Sequence, residues 1–343
     1  MSYPRLATRI YNTPLMIEPG KAEVIEAVFR AYAEGRPDSL PAFEAKAQGA
    51  APVPMERTDH GYSLSRGGVA VLPIHGTLVH RADGLDAMSG LIGYNRIAAQ
   101  FQAAMEDPKV RGIVLEFDSH GGEVAGVFEL AGQIMAASKP VYAHANESAF
   151  SAAYALAVGA EQIWIAQTGM VGSIGVLMMH VDQSQADAKK GMVYTPIYAG
   201  AHKMDFSSRA PLSDSAKSSA QAQVDRLYSI FTDHVANAQG ISAQAVRDTE
   251  AGVLTPGQAT DIGLANGQAS LGETIQRLQD SFAASFQGYS RPSRASSERS
   301  NTMTTEKTPG QAAATEEQLT TARTDATAAA TAAAEAKYPA IRT

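Results

Sequence analysis

The sequence contains no cysteine, which excludes disulfides, thiol catalysis and thiolate metal sites. That absence fits a cytoplasmic setting. Positive charge is also scarce: 28 basic against 35 acidic residues leave a net charge of −7. A phosphate-binding face wants an excess of Lys and Arg, so nucleic acid is not expected as the main partner. No secretory leader is legible, because Arg5, Arg9, Glu18 and Lys21 break up the amino terminus and Pro14–Ile17 is too short an apolar core. The longest uncharged stretch, Gln162–Met179, approaches bilayer length. It is nevertheless punctuated by Gln167, Thr168, Gly169, Gly172, Ser173 and Gly175, and reads as two buried strands with a glycine-rich connection. No helix motif of a zinc protease occurs, so neither metal nor cofactor is expected.

What is present describes an ordinary globular chain: 343 residues, 45% hydrophobic and 18% charged. Three regions are expected. Residues 1–66 hold one helical pattern, Lys21–Ala33, with Val24, Ile25, Val28, Phe29 and Tyr32 on one face, followed by a Pro/Gly/Ala-rich linker. Residues 67–285 alternate strand and helix signals. Strands are predicted over Val69–Ile74, Gly112–Phe117, Pro140–Ala143, Gln162–Ile165 and Pro196–Tyr198. Helices are predicted around Tyr94–Met105, from about Glu123 to Ser138, from Ser151, over residues 213–239, after Thr255-Pro256, and around Leu271–Leu278. Repeated β-α-β units of this length imply a mostly parallel sheet, and the class is α/β. Residues 286–343 are rich in Ser, Thr and Ala, with few large aliphatics. Such a tail buries too little apolar area to offset its conformational entropy and is expected to be disordered alone; Thr320–Ala336 could become helical on a partner.

Two polar residues stand out in small, apolar surroundings: Ser151, in Phe150-Ser151-Ala152-Ala153-Tyr154, and Lys203, 52 residues later (203 − 151). A serine hydroxyl attacks a carbonyl only when a base takes its proton, and a desolvated lysine can be that base. Working near neutrality would require burial to depress the lysine by about three units, or about 4 kcal/mol. Each residue also has a plainer reading, Ser151 as a helix N-cap and Lys203 as a solvated loop lysine. Gly121-Gly122, between a strand and a helix start, either makes a tight turn or offers amides to an oxyanion. The Ala152 amide is a second such donor. A Ser-His-Asp triad could instead draw on His75, His80, His144, His180 or His202 with Asp118 or Asp182. No Gly-x-Ser-x-Gly elbow surrounds Ser151, which argues against an α/β-hydrolase.

Taken together the motifs resemble the signal peptide peptidase A family of serine proteases, which share the Clp protease/crotonase fold. The family's Ser-Pro-Gly-Gly turn is matched by Ser119-His120-Gly121-Gly122, and its Ser-Gly-Gly-Tyr nucleophile by Ser151-Ala152-Ala153-Tyr154. Its Gly-Ser-Ile-Gly-Val segment is intact at Gly172–Val176, and its lysine falls on Lys203. Leu254–Ala259 and Ile262-Gly263-Leu264 are similar to its closing helix. The resemblance implies a Ser151–Lys203 dyad, Ser173 orienting the lysine, and Gly121, Gly122 and Ala152 forming the oxyanion hole. His120 replaces the family's proline, and Ala152-Ala153 its paired glycines. The run Arg9–Leu15 and the polar tail further resemble the phage branch of head-maturation proteases. That branch implies cleavage of scaffold and of the protease itself inside the prohead or host cytoplasm, with a scaffold-like segment started near Met303. It implies a homo-oligomer with peptide or protein substrates and no membrane anchor. A catalytically inactive assembly factor on the same fold, or a crotonase-type acyl-CoA enzyme, are the competing expectations.

Overall fold

The computed structural model describes residues 11–33, 54–82 and 90–286. The polar tail, with Met303 and Thr320–Ala336, lies outside the described residues, as do Arg9 and Ile10. Its strands are β1 (Leu15–Ile17), β2 (Met55–Arg57), β3 (Ser63–Ser65), β4 (Val69–His75), β5 (Thr77–Val79), β6 (Leu91–Gly93), β7 (Gly112–Ser119), β8 (Gly121–Glu123), β9 (Val141–Phe150), β10 (Gln162–Ile165), β11 (Met170–Gly172), β12 (Val253–Leu254) and β13 (Gly267–Gln268). Its helices are α1 (Pro19–Ala33), α2 (Tyr94–Glu106), α3 (Val127–Met135), α4 (Ala152–Ala157), α5 (Ser184–Lys189), α6 (Asp214–Gln239), α7 (Ala243–Arg247), α8 (Pro256–Asp261) and α9 (Leu271–Phe286).

The larger sheet runs β12-β11-β9-β7-β4-β3-β2, with β10 pairing β9 and β13. Its centre, β4, β7 and β9, is parallel. Both faces of such strands are covered, so β4 and β7 read as nearly unbroken apolar runs. One face packs Leu72, Ile74, Phe117 and Ala143 against α3 and α4. The other packs Val69, Val71, Val114 and Tyr142 against Ile275, Leu278 and Phe282 of α9. Strand β9 is shared: Tyr142–Ala145 pair with β10, and Ser148–Phe150 pair with β11. The register against β7 shifts between Phe117 and Ser119, which carries the end of β9 past the main ladder.

A second, four-stranded sheet runs β1-β8-β5-β6. It lies where a helix start is expected: Gly121–Glu123 form β8, and α3 begins only at Val127, behind Gly126 at φ 92°. Pairing with β1 and β5 claims these residues before they can turn into a helix. A second difference concerns residues 192–198, which form no strand and are exposed, Val193 at 88% and Ile197 at 97%. Among the described residues no strand pairs with them. In α1, Ala22 is buried and Val24 is 42% exposed, so the inward face is shifted from the expected one.

The remaining elements follow their signals. Helix α6 starts on Ser213, whose hydroxyl accepts from the Ala216 amide at 3.2 Å, and stops on Gly240 at φ 70°. Thr255 and Gln258 close a capping box at α8. Helix α4 is buried on every side; its alanines let it fit between sheet and helices, and its Tyr154 hydroxyl donates to the Leu264 carbonyl at 2.6 Å.

Candidate active site

Strand β9 delivers Ser151. Its backbone amide continues the ladder by donating to the Gly172 carbonyl at 2.8 Å, and the chain then turns abruptly into α4. The turn forces Ser151 to φ 55° and ψ −116°, a conformation that side chains rarely adopt. An N-cap serine would sit in the extended region and accept from the helix amides; Ser151 does neither. Its hydroxyl instead approaches the Gly175 carbonyl at 3.4 Å, and the residue is buried. The plain capping reading of Ser151 is thereby removed.

Ser119 organises the facing turn. Its hydroxyl donates to the Gly76 carbonyl at 2.6 Å and accepts from the Gly121 amide at 3.2 Å. Gly121 sits at φ 95°, and a Cβ there would collide with the Met16 carbonyl oxygen and stand 2.9 Å from the Phe150 carbonyl and 3.0 Å from the Ala152 amide nitrogen. The glycine therefore places its backbone against both residues flanking Ser151. Gly122 has a different reason to lack a side chain, since a Cβ would run into the backbone of Leu78 in β5.

Ser173 is buried, at φ 53°, with its amide donating to the Gly252 carbonyl at 2.9 Å. Lys203 makes no hydrogen bond to Ser151. It is exposed in the turn Gly200–Asp205, and its ammonium has no hydrogen-bond or ion-pair partner among the described residues. The structure thus brings Ser151, Gly121 and Ala152 together, and no hydrogen bond joins Lys203 to Ser151.

The histidines are engaged away from the serine hydroxyl. His75 faces Glu116 at 3.6 Å, His202 pairs with Asp205 at 2.8 Å, and Asp118 accepts from Ser148 at 3.0 Å. The His80 ring contacts the Ala125 carbonyl at 3.1 Å, and His180 contacts the Asn12 side chain at 2.9 Å. His144 contacts Thr274 at 3.0 Å, and burial pushes its pKa down to about 4. His120, by contrast, stands edge-on to Phe150 with ring centroids 5.3 Å apart; burial, then the nearby Lys21 charge, lowers its pKa. Among the described residues no cluster of His, Asp or Glu could hold a metal ion, and no helix is long and apolar enough to cross a membrane.

Residues 133–285 match the model of peptidase family S49. The capsid assembly protease C of Escherichia phage lambda is 37% identical over 298 residues, 82% of this chain and 66% of that protein. The head-tail preconnector protein GP5 of Enterobacteria phage P21 is 35% identical over 293 residues, 82% of this chain and 58% of its own length. Residues 133–285 are a peptidase family S49 domain. Ser151, Ala152, Ser173 and Lys203 lie inside the S49 domain, whereas Gly121 and Gly122 precede it. The chain spans less than two thirds of the length of these two relatives. Among solved structures, a point mutant of ClpP1 from Listeria monocytogenes shares 12% identity, covering 60% of this chain and 94% of that one, with a TM-score of 0.37. The mixed α/β assignment rests on the strand order itself.

Sequence reading missed two participants. The Gly175 carbonyl that receives the Ser151 hydroxyl is a backbone group and carries no residue signature. The strand Leu15–Ile17 was legible only as a short apolar run between Pro14 and Glu18, with nothing to say which edge it would join.

Proposed function

We propose that the chain is a serine endopeptidase of phage capsid maturation, acting on scaffold and on itself with Ser151 as nucleophile. The observation that carries this reading is the strained, non-capping Ser151, buried beside the Gly121 backbone and the Ala152 amide. In the proposed reaction the Ser151 hydroxyl attacks a peptide carbonyl while neutral Lys203 accepts its proton. The collapsing intermediate returns that proton to the leaving amine. Amides of Gly121 or Gly122 and of Ala152 hold the developing oxyanion, the Gly121 amide by turning from the Ser119 hydroxyl it now meets, and Ser173 orients the lysine.

The exposed position of Lys203 defines what the reading further requires. A lysine base near neutrality needs burial, which the described residues do not give it. Val193 and Ile197 lie fully in solvent in the stretch leading to Lys203, and fit association of copies. In such an assembly the lysine of one copy reaches the serine of its neighbour. Mass spectrometry of the purified full chain beside Ser151→Ala and Lys203→Ala tests the dyad. Self-cleavage products are expected only from the unsubstituted chain, and products from either variant would remove that residue from the chemistry.

The same exposure favours one second reading, a capsid-assembly protein that has kept the fold and lost the reaction. It predicts an intact mass for all three proteins and no cleavage of an added scaffold peptide.

A further inference from the structure

The peptide strip beside Ser151 already holds a strand, and that strand is the chain's own. Strand β1 runs antiparallel to β8, pairing Leu15 with Glu123, Met16 with Gly122 and Ile17 with Gly121. The Glu18 amide extends the ladder to the His120 carbonyl at 2.9 Å. On its other edge Leu15 exchanges both backbone hydrogen bonds with Leu177, at 2.8 and 2.9 Å. Leu177 follows the glycine-rich segment whose Gly175 carbonyl faces the Ser151 hydroxyl. Both walls of the cleft are therefore closed by three residues, each 5% exposed or less. A Cβ added to Gly121 would strike the Met16 carbonyl oxygen and would stand 3.0 Å from the Ala152 amide nitrogen, so β1 and the start of α4 press on the same glycine. The β1 backbone is therefore packed on the Gly121 turn, the same turn that flanks Ser151.

We infer that Leu15–Ile17 is a resident substrate mimic, and that the cleft between β8 and Leu177 accepts an extended apolar peptide only when β1 leaves it. The inference rests on the peptidase reading of Ser151. Recognition is by strand addition: backbone ladders on both edges hold the peptide, and alternate side chains select it. Leu15 and Ile17 line an apolar hollow with Ala22, Ile25 and Leu78, so the positions they model take uncharged side chains. The same segment reaches the lysine-bearing turn, because the Asn12 side-chain amide donates to the Phe206 carbonyl at 2.9 Å. Departure of β1 opens the cleft and releases that tether together.

The test uses full-length proteins carrying Ser151→Ala and a fluorescein-labelled peptide with the sequence of residues 12–18, read by anisotropy. Leu15→Pro removes the amide that donates to Leu177 and is expected to bind the peptide about tenfold more tightly than its parent, as when a competent state rises from about a tenth of the population. Because the natural sequence has no cysteine, Leu15→Cys/Leu177→Cys forms one bond across a directly opposed pair. Oxidised, this variant is expected to bind roughly tenfold more weakly than the same sample reduced. Equal affinity of the oxidised and reduced forms overturns the inference, and that comparison decides the matter even if Leu15→Pro does not fold. Hydrolysis of the same peptide by the proteins with Ser151 restored separates the two proposals. Binding that follows β1 without hydrolysis retains the resident strand and removes the peptidase, whereas hydrolysis indifferent to the crosslink does the reverse.

Discussion

At Ser151 the backbone and the side chain make opposing demands. A residue with a Cβ held at φ 55° and ψ −116° costs about 1–3 kcal/mol relative to a relaxed conformation, and the surrounding ladder and helix must supply it. Glycine would carry no such strain, yet glycine has no hydroxyl. Replacing Ser151 by Ala should leave the strain in place, since alanine keeps the Cβ. Replacing it by Gly should relieve the strain and, after the greater chain entropy of glycine, stabilise the fold by about 1 kcal/mol over Ser151→Ala. Urea unfolding of the two variants measures the difference. Equal midpoints would show that the conformation is unstrained and deprive the serine of its structural peculiarity.

Among the elements, β9 unites stability and site. Its first half is core: His144 is fully buried, contacts Thr274 of α9 at 3.0 Å, and has no partner for Nε2. Burial lowers its pKa from 6.5 to about 4, with Glu116 opposing in part. The unfolded chain therefore binds this proton between about pH 6.5 and 4 while the folded chain does not. Stability rises with pH across that window and is lost as pH falls through it, by about 3 kcal/mol in all. His144→Phe should flatten this limb of the stability–pH curve, measured by chemical unfolding at pH 7 and pH 4.5. An unchanged slope would place the titration elsewhere. The second half of β9 was less legible in the sequence than the first. Apolar runs and caps foretold β4, β7, α6 and α8 because burial and capping are local. The end of β9, the strand β8 and its pairing with β1 depend on a register shift and on partners more than 100 residues away. Glycines at residues 121 and 122 signalled a turn without revealing that two strands would press on it. Pro196–Tyr198 read as a strand for the converse reason: the β-branched Ile197 and aromatic Tyr198 promise a ladder that the described residues do not provide.

On the scale of the whole molecule, the isolated chain has a buried serine and an exposed lysine, and the polypeptide between them leaves Ile197 97% in solvent. If copies associate head to tail so that each lysine serves the next serine, two dead variants can restore one another. A site in a mixed ring works when its serine comes from a Lys203→Ala copy and its lysine from a Ser151→Ala copy. Equal mixing should therefore recover about a quarter of the unsubstituted rate. Were the dyad formed within one chain, every copy in the mixture would lack one partner and no activity would return. Adding Ile197→Asp to both variants places charge in the apolar stretch and should abolish the recovery, with size-exclusion chromatography showing the loss of assembly. Recovery that survives this substitution would mean that the lysine is delivered by another surface, because the contact through residues 193–197 would then be dispensable.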